Sequence, residues 1–237
     1  MSKQLHRVLS FKQRGVRMFI KAGMRIASVL VFFSLIGAAF GQLAEGWKLE
    51  KDKNGIKVYS RLQEGDQPKE IRVVCNVPGT IPQLVAYLFD VDNYEKVVYR
   101  TKSARMVRRV RDNEFIYYTE IESPWPVSNR DLVARMTFQQ NPATKVLRVE
   151  ARQVPGLVPP KPNVVRIPYW HAVWTVRPLN DKQLHIDYTF KAELGGEIPA
   201  GVIDLIAKTG PYQSFLSLNE TLRLPRYQGK TFPFLQL

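Results

Sequence analysis

Between Ile56 and Leu194 nearly every segment is a short run of β-branched or aromatic residues closed by turn residues, and only one long helical stretch follows. The runs are Ile56 to Leu62, Glu70 to Asn76, Ser103 to Val110, Phe115 to Glu122, Asp131 to Gln139, Val146 to Gln153, Val164 to Val176 and Gln183 to Leu194. Most connections are short, so neighbours are expected to pair antiparallel. Asp112-Asn113 and Asn180-Asp181 read as the clearest hairpin turns. Helical spacing occurs in residues 80 to 89, with Thr80 as N-cap and Pro82 in the first turn. It returns from about Val202 to Leu224, where Ile203, Ile206, Phe215, Leu218 and Leu222 form the apolar side. A long sheet and one long helix cannot bury both sheet faces while the sheet stays flat. The expected fold class is therefore α+β, a curved antiparallel sheet wrapped around the C-terminal helix.

Such a shape leaves space between sheet and helix. In Val164 to Val176, Trp170, Ala172 and Trp174 share one face, and His171, Val173 and Thr175 share the other. The hairpin partner supplies Tyr188 and Phe190. These aromatics read equally as ordinary core and as the wall of a ligand cavity. In the strand starting at Asp131, Leu132, Ala134, Met136 and Phe138 make one all-apolar face, opposite Val133, Arg135 and Thr137.

The first 41 residues differ from the rest. Residues 1 to 25 hold seven Lys or Arg and no acid, and Ile26 to Phe40 is an uncharged run of 15 residues ending in small side chains. That run falls short of the roughly 20 residues that span a bilayer, so residues 1–41 read as a signal peptide cleaved after Gly41. Export to a periplasmic or extracellular space follows from that reading; an uncleaved N-terminal anchor is the alternative. The basic region is long for a leader, which leaves the start open among Met1, Met18 and Met24. The whole chain carries 35 Lys+Arg against 21 Asp+Glu, and without the leader 28 remain against 21, a net charge of +7. That excess suits an anionic membrane surface at least as well as nucleic acid, which an exported protein rarely meets. Residues 42–237 are enough for one domain.

Chemical motifs are sparse. Cys75 is the only cysteine, which precludes an internal disulfide, and it sits in an apolar strand as a core residue. There is no Gly-rich phosphate loop, nucleophile elbow or HExxH. An Asn180-Asp181 turn places His171 opposite Phe190 and His185 opposite Val176, too far apart to share a metal. The basic run Arg105 to Arg111 distributes its charges over both faces of a strand, and no nucleic-acid partner is expected from it. The segment from Pro155 to Asn163 reads as a stiff hairpin connection rather than a polyproline ligand.

Three motifs in order resemble one family. They are WKLEKDKNGIKVYSR (Trp47 to Arg61), PWPVSNRDLV (Pro124 to Val133) and GGEIPAGVIDLIAKTGP (Gly195 to Pro211). Together they resemble the START domain, the steroidogenic acute regulatory protein-related lipid-transfer domain, over a core of about 47–224. The resemblance implies a helix-grip fold with an internal apolar tunnel and a non-enzymatic protein that binds and transfers one lipid. It implies no cofactor beyond that lipid, a transient membrane partner and a monomer. A helix-grip enzyme of cyclase or hydrolase type is the alternative. Met136, Phe138, Trp170, Trp174, Tyr188, Phe190, Ile203, Ile206 and Phe215 are then the candidate lipid-lining residues. The motif and rim loops contribute Trp125, Arg130, Asp131, Leu157 and Val158. Trp125 is expected to hold its loop against a neighbour, Arg130 and Asp131 to anchor the loop base, with a headgroup contact from Arg130 as the alternative, and Leu157 and Val158 to touch the bilayer. Some sterol-binding relatives bury an acid and an arginine in the tunnel wall; here the apolar face of Leu132 to Phe138 removes the arginine, and Glu120 and Glu122 are expected to face solvent. Pro211 cannot donate to the Ala207 carbonyl, so the C-terminal helix is expected to kink or break at Gly210-Pro211, either as a hinge or equally as a fixed kink that follows the curved sheet.

The leader reading generates a first test. N-terminal sequencing of the protein from its cells is expected to start near Gln42; an N-terminus that retains Phe32 and Phe33 would identify an anchor.

Overall fold

The computed structural model describes residues 46–63 and 66–236. The basic leader and the expected cleavage at Gly41 lie outside the described residues. The strands are β1 (Lys48–Lys53), β2 (Ile56–Gln63), β3 (Asp66–Pro78), β4 (Thr101–Arg111), β5 (Glu114–Ile121), β6 (Asn129–Gln140), β7 (Leu147–Gln153), β8 (Val164–Arg166), β9 (Tyr169–Asn180) and β10 (Gln183–Glu193). The helices are α1 (Ile81–Phe89), a single turn α2 (Tyr94–Val97) and the long α3 (Ala200–Thr221). The sheet runs β1-β2-β3-β10-β9-β7-β6-β5-β4, all antiparallel, while short β8 pairs parallel with β6. The α+β reading of a curved sheet gripping the C-terminal helix is the observed architecture.

Local chemistry explains most of these elements. Thr80 caps α1 by a reciprocal box: its hydroxyl accepts from the Gln83 amide, and the Gln83 side chain accepts from the Thr80 amide at 2.7 Å. Gln83 Nε2 then donates to the Leu222 carbonyl at 3.2 Å, tying the start of α1 to the end of α3. The β3 strand buries Ile71, Val73, Cys75 and Val77 on its inner face and turns Arg72 outward, where it forks onto Asp187 at 2.9 and 2.6 Å. β1 was not anticipated, yet its signal was present: Asn54-Gly55, both at positive φ, forms the two-residue hairpin turn between β1 and β2. The basic run Arg105 to Arg111 lies on β4, an edge of the sheet interrupted by three register shifts. Charge and bulges on an edge strand discourage pairing with other chains, which accounts for this run without a nucleic-acid partner.

The stretch from Val164 to Val176 is not one strand. Pro168 has no amide hydrogen for a ladder, and the chain breaks there into β8 and β9. The β9–β10 register is also one residue away from expectation, because an irregularity at Gln183/Leu184 sets His171 opposite Lys191 and His185 opposite Arg177. His171 bonds Glu150 at 2.6 Å and His185 bonds Asn76 at 2.8 Å, so the two remain apart.

The residues between β7 and β9 form a strap over the outer face of β5 and β6, where Ile116, Tyr118 and Val133 are buried against Val154 and Val158. Arg166 holds the strap down. It forks onto the fully buried Asp131 at 2.6 and 3.0 Å and donates to the Val158 and Pro159 carbonyls. The Ile167 amide bonds the Asp131 carbonyl at 2.9 Å. Residues beyond the expected core also pack, since Tyr227 is buried, Phe232 stacks on Phe89 and Phe234 lies tilted against it.

Removing one member of a buried ion pair leaves the other charge without compensation. Asp131→Ala is expected to lower unfolding stability by about 3 kcal/mol, measured by urea denaturation. A loss within experimental error would mean that the strap is held by its apolar contacts alone.

Candidate functional site

The inner face of the sheet does not close completely on α3. A cavity of about 250 Å³ remains between them, walled by β5, β6, β9 and β10 on the sheet side and by Gly210, Pro211, Ser214, Phe215 and Leu218 on the helix side. Strand alternation selects the wall. On β6, Arg130, Leu132 and Met136 face it; on β5, Thr119 and Ile121 stand directly opposite Leu132 and Arg130 and share that face. Trp174 stacks on Phe215 at 5.1 Å and meets Tyr188 at 4.5 Å, while Trp170 stacks on Phe190 at 4.9 Å. Tyr94 and Tyr117 complete the wall, and burial drives the phenols of Tyr94, Tyr117 and Tyr188 far above their ordinary range, so they stay neutral.

Of the candidate lining residues, Met136, Trp170, Trp174, Tyr188, Phe190 and Phe215 border this cavity. Phe138 does not. It lies on the same face of β6 but is buried in a separate aromatic cluster, stacked on Phe89 at 5.0 Å and against Phe234 at 5.8 Å. Ile203 lies on the same helical stripe as Gly210 but roughly 10 Å nearer the N-terminus, beyond the described lining. The side chain of Ile206 lies outside the described residues. Tyr117 and Thr119 were missed by sequence reasoning, although their pairing opposite Ala134 and Leu132 would have identified them once the register was known.

The loop between β5 and β6 corrects several expectations. Trp125 holds nothing: it is 92% exposed, because the Val127 amide closes a tight turn onto the Pro124 carbonyl and pushes the intervening ring outward. Its base is fastened instead by Asn129, which accepts from the Ser123 amide at 3.2 Å and donates to Glu120 at 3.0 Å. Glu120 is buried, not solvated, and points away from the cavity to the outer face, where Lys161 reaches it at 2.8 Å and Lys102 at 3.3 Å. Glu122 is exposed beside Arg100. Val158 has a core after all, the Ile116 cluster, whereas Leu157 is 44% exposed. Helix α3 is not broken at Pro211; it continues to Thr221, and both Gly210 and Pro211 line the cavity.

Arg130 and Asp131 part company. Adjacent residues on a strand point to opposite faces, so Asp131 pairs with Arg166 outside while Arg130 turns inward. Arg130 is 5% exposed. Its terminal nitrogens donate to the Ser128 and Gly195 carbonyls, and its Nε has no partner. Burial lowers its pKa from the ordinary guanidinium value. Among the described lining residues it is the only charged one; no carboxylate or histidine borders the cavity, and no described cluster of His, Cys, Asp or Glu could hold a metal.

Comparison with known proteins fits this geometry to a family. The family model for the START domain matches residues 40–224. The chain belongs to the START domain family. A STAR-related lipid transfer protein from Xanthomonas axonopodis is 29% identical and superposes with a TM-score of 0.70, covering 76% of this chain and all of that one. The phosphatidylcholine transfer protein of Rattus norvegicus is 27% identical over 177 residues, 69% of this chain and 78% of its own. Human StAR-related lipid transfer protein 5 has the same fold, with a TM-score of 0.65 at 20% identity, covering 83% of this chain and 95% of that one. The START match ends at Leu224, and the packed segment from Tyr227 to Phe234 lies beyond it.

The loop base has a pH signature. Burial alone would raise the Glu120 carboxyl, but hydrogen bonds from Lys161, Asn129 and Lys102 outweigh it and hold the group at about 2. A carboxyl depressed in the folded state stabilises fully above its unfolded value of about 4.3, and that stability is lost as pH falls through the folded value. The urea midpoint is therefore expected to fall between roughly pH 4.5 and 2 by the equivalent of about 2 kcal/mol, and Glu120→Gln is expected to remove that part of the slope. An unchanged slope in the variant would assign the acid sensitivity elsewhere.

Proposed function

We propose that this START domain binds one lipid in the cavity between sheet and α3 and carries it between membranes without chemical conversion. The observation that carries this reading is the wall itself: mostly stacked aromatics and aliphatics, with a few hydroxyl residues and a single charged side chain among the described residues. Acid–base catalysis needs a titratable group aimed at the substrate, and Arg130 is a poor proton donor or acceptor at neutral pH. Relatives whose names state a role, the phosphatidylcholine and STAR-related lipid transfer proteins, support transfer as the activity.

Apolar burial supplies the driving force. Each buried methylene contributes roughly 0.8 kcal/mol, so an acyl chain of about a dozen carbons offers on the order of 10 kcal/mol before the costs of ordering. The cavity of about 250 Å³ lies below the ~300–1,000 Å³ of most ligand pockets. A lipid with two chains therefore requires the wall to move outward, and α3 is the element placed to do so, with Gly210-Pro211 at its cavity face as the hinge. Loading from a bilayer brings the exposed Trp125 and Leu157 into contact with the membrane surface. The signal-peptide reading of residues 1–41 supports an activity outside the cytoplasm, and the domain is proposed to act as a monomer.

Mass spectrometry of the purified full chain is expected to find a copurified lipid at a substoichiometric to equimolar level. Met136→Glu and Trp174→Glu, each checked for folding by circular dichroism, are expected to lower its recovery about tenfold or more, because a charge in the wall cannot be desolvated cheaply. Folded variants with normal recovery would place the lipid elsewhere, and absence of any lipid binding would overturn the reading.

A further inference from the structure

Most of the cavity wall asks only for hydrocarbon, but two of its atoms ask for an acceptor. Arg130 Nε and Trp170 Nε1 are both buried, both belong to lining residues, and both lack a hydrogen-bond partner. Each is a donor and neither can accept. Buried polar groups are nearly always satisfied, so an orphan donor on the one charged residue of the described lining points to a missing acceptor. Among the described residues no carboxylate supplies it: Asp131 is engaged by Arg166 on the other side of β6, and Glu120 by Lys161 and Lys102.

The position of Arg130 adds a direction. It borders the inner cavity and also an open cleft outside it, lined by Pro126, Val127, Ser128, Val165 and the segment from Gly196 to Pro199. That cleft lies beneath the loop that carries exposed Trp125. Glu197 is its one acid, and it makes no ion pair with Arg130. Gly195 and Gly196, both at positive φ, bring their backbone close to the guanidinium; a Cβ at Gly196 would stand 3.9 Å from Arg130 Nη2. The guanidinium thus stands where an apolar chamber meets an outward cleft, which is the boundary between the two halves of an amphiphile.

Resting on the lipid-binding reading above, we propose that Arg130 is the headgroup anchor, and that the lipid carried here bears an anionic oxygen group, a carboxylate or a phosphate, received by the Arg130 guanidinium. Uncharged lipids such as diacylglycerols leave the guanidinium buried and uncompensated, so they are disfavoured. Arg130 then selects by charge while the aromatic wall binds without regard to it.

The test uses the full-length chain and the quenching of its tryptophan fluorescence by oleate, dioleoyl phosphatidic acid and dioleoylglycerol. Wild type is expected to bind at least one of the two anionic lipids about tenfold or more tighter than dioleoylglycerol. Arg130→Met is expected to remove that gap, and Arg130→Lys to retain part of it. A gap that survives in Arg130→Met, or a wild type indifferent to charge, would overturn the anchor while leaving lipid binding intact; failure to bind any of the three would remove both readings. Should Arg130→Met not fold, the Arg130 Nε–H resonance of wild type decides by NMR. It is expected to shift with an anionic lipid and not with dioleoylglycerol, and an unmoved resonance would overturn the proposal. Inorganic phosphate is the remaining arm: if it moves that resonance at the same concentration as the lipid, the site binds free anions and the lipid assignment falls.

Discussion

The buried fork between Asp131 and Arg166 organises everything that surrounds the cavity. It fastens the strap after β7 to the outer face of β6, brings β8 alongside and seals the Ile116, Tyr118 and Val133 cluster. It also commits Asp131 outward. Because neighbouring residues of a strand alternate faces, that commitment sends Arg130 inward with no carboxylate among the described residues to neutralise it. A structural ion pair on one face thereby creates an unpaired cation on the other. The cost of burying such a charge is several kcal/mol unless something compensates it, which is a reason to look for the compensation in the ligand.

The rest of the wall follows from how a long sheet and a single helix share volume. At one end the space is filled: Phe138 stacks on Phe89, and the tail beyond α3 adds Phe232 and Phe234. Around Trp174, Tyr188 and Phe215 the large rings touch one another yet leave a chamber beside them. Gly210 and Pro211 contribute little side-chain volume at the middle of α3, where a larger residue would fill that chamber. The opposite end carries Arg130 and the Gly195-Gly196 turn, and it opens toward the cleft under Trp125. An apolar end and a cationic end on one cavity match the polarity of a lipid.

Particular residues show how far a linear reading reaches. The alternation of Trp170, Ala172 and Trp174, and of Leu132 and Met136, was legible because a period of two needs no knowledge of neighbours. The Thr80 cap and the core burial of Cys75, whose thiol is pushed up to about 12 by desolvation, were legible for the same local reason. The Asn54-Gly55 turn was legible and overlooked. Phe138 was misplaced because its face was right while its depth along the strand depended on Phe89 and a tail distant in sequence. Glu120 was misplaced because its burial depends on Lys161, which the strap brings across the sheet.

What the sequence determined by itself was the set of local preferences: strand periodicity, turns, caps, the breaking power of proline and, through three motifs, the START family. Those are properties of a few consecutive residues and their immediate hydrogen bonds. Tertiary structure decided which apolar face would meet a partner and which would border open space, how the β9–β10 register slipped at Gln183/Leu184, and that Trp125 would stand in solvent. It decided above all that Arg130 and Asp131, side by side in the chain, would serve opposite faces with different partners. Pairing, burial and desolvation arise from residues far apart in sequence, and only the folded chain brings them within the few ångströms over which they act.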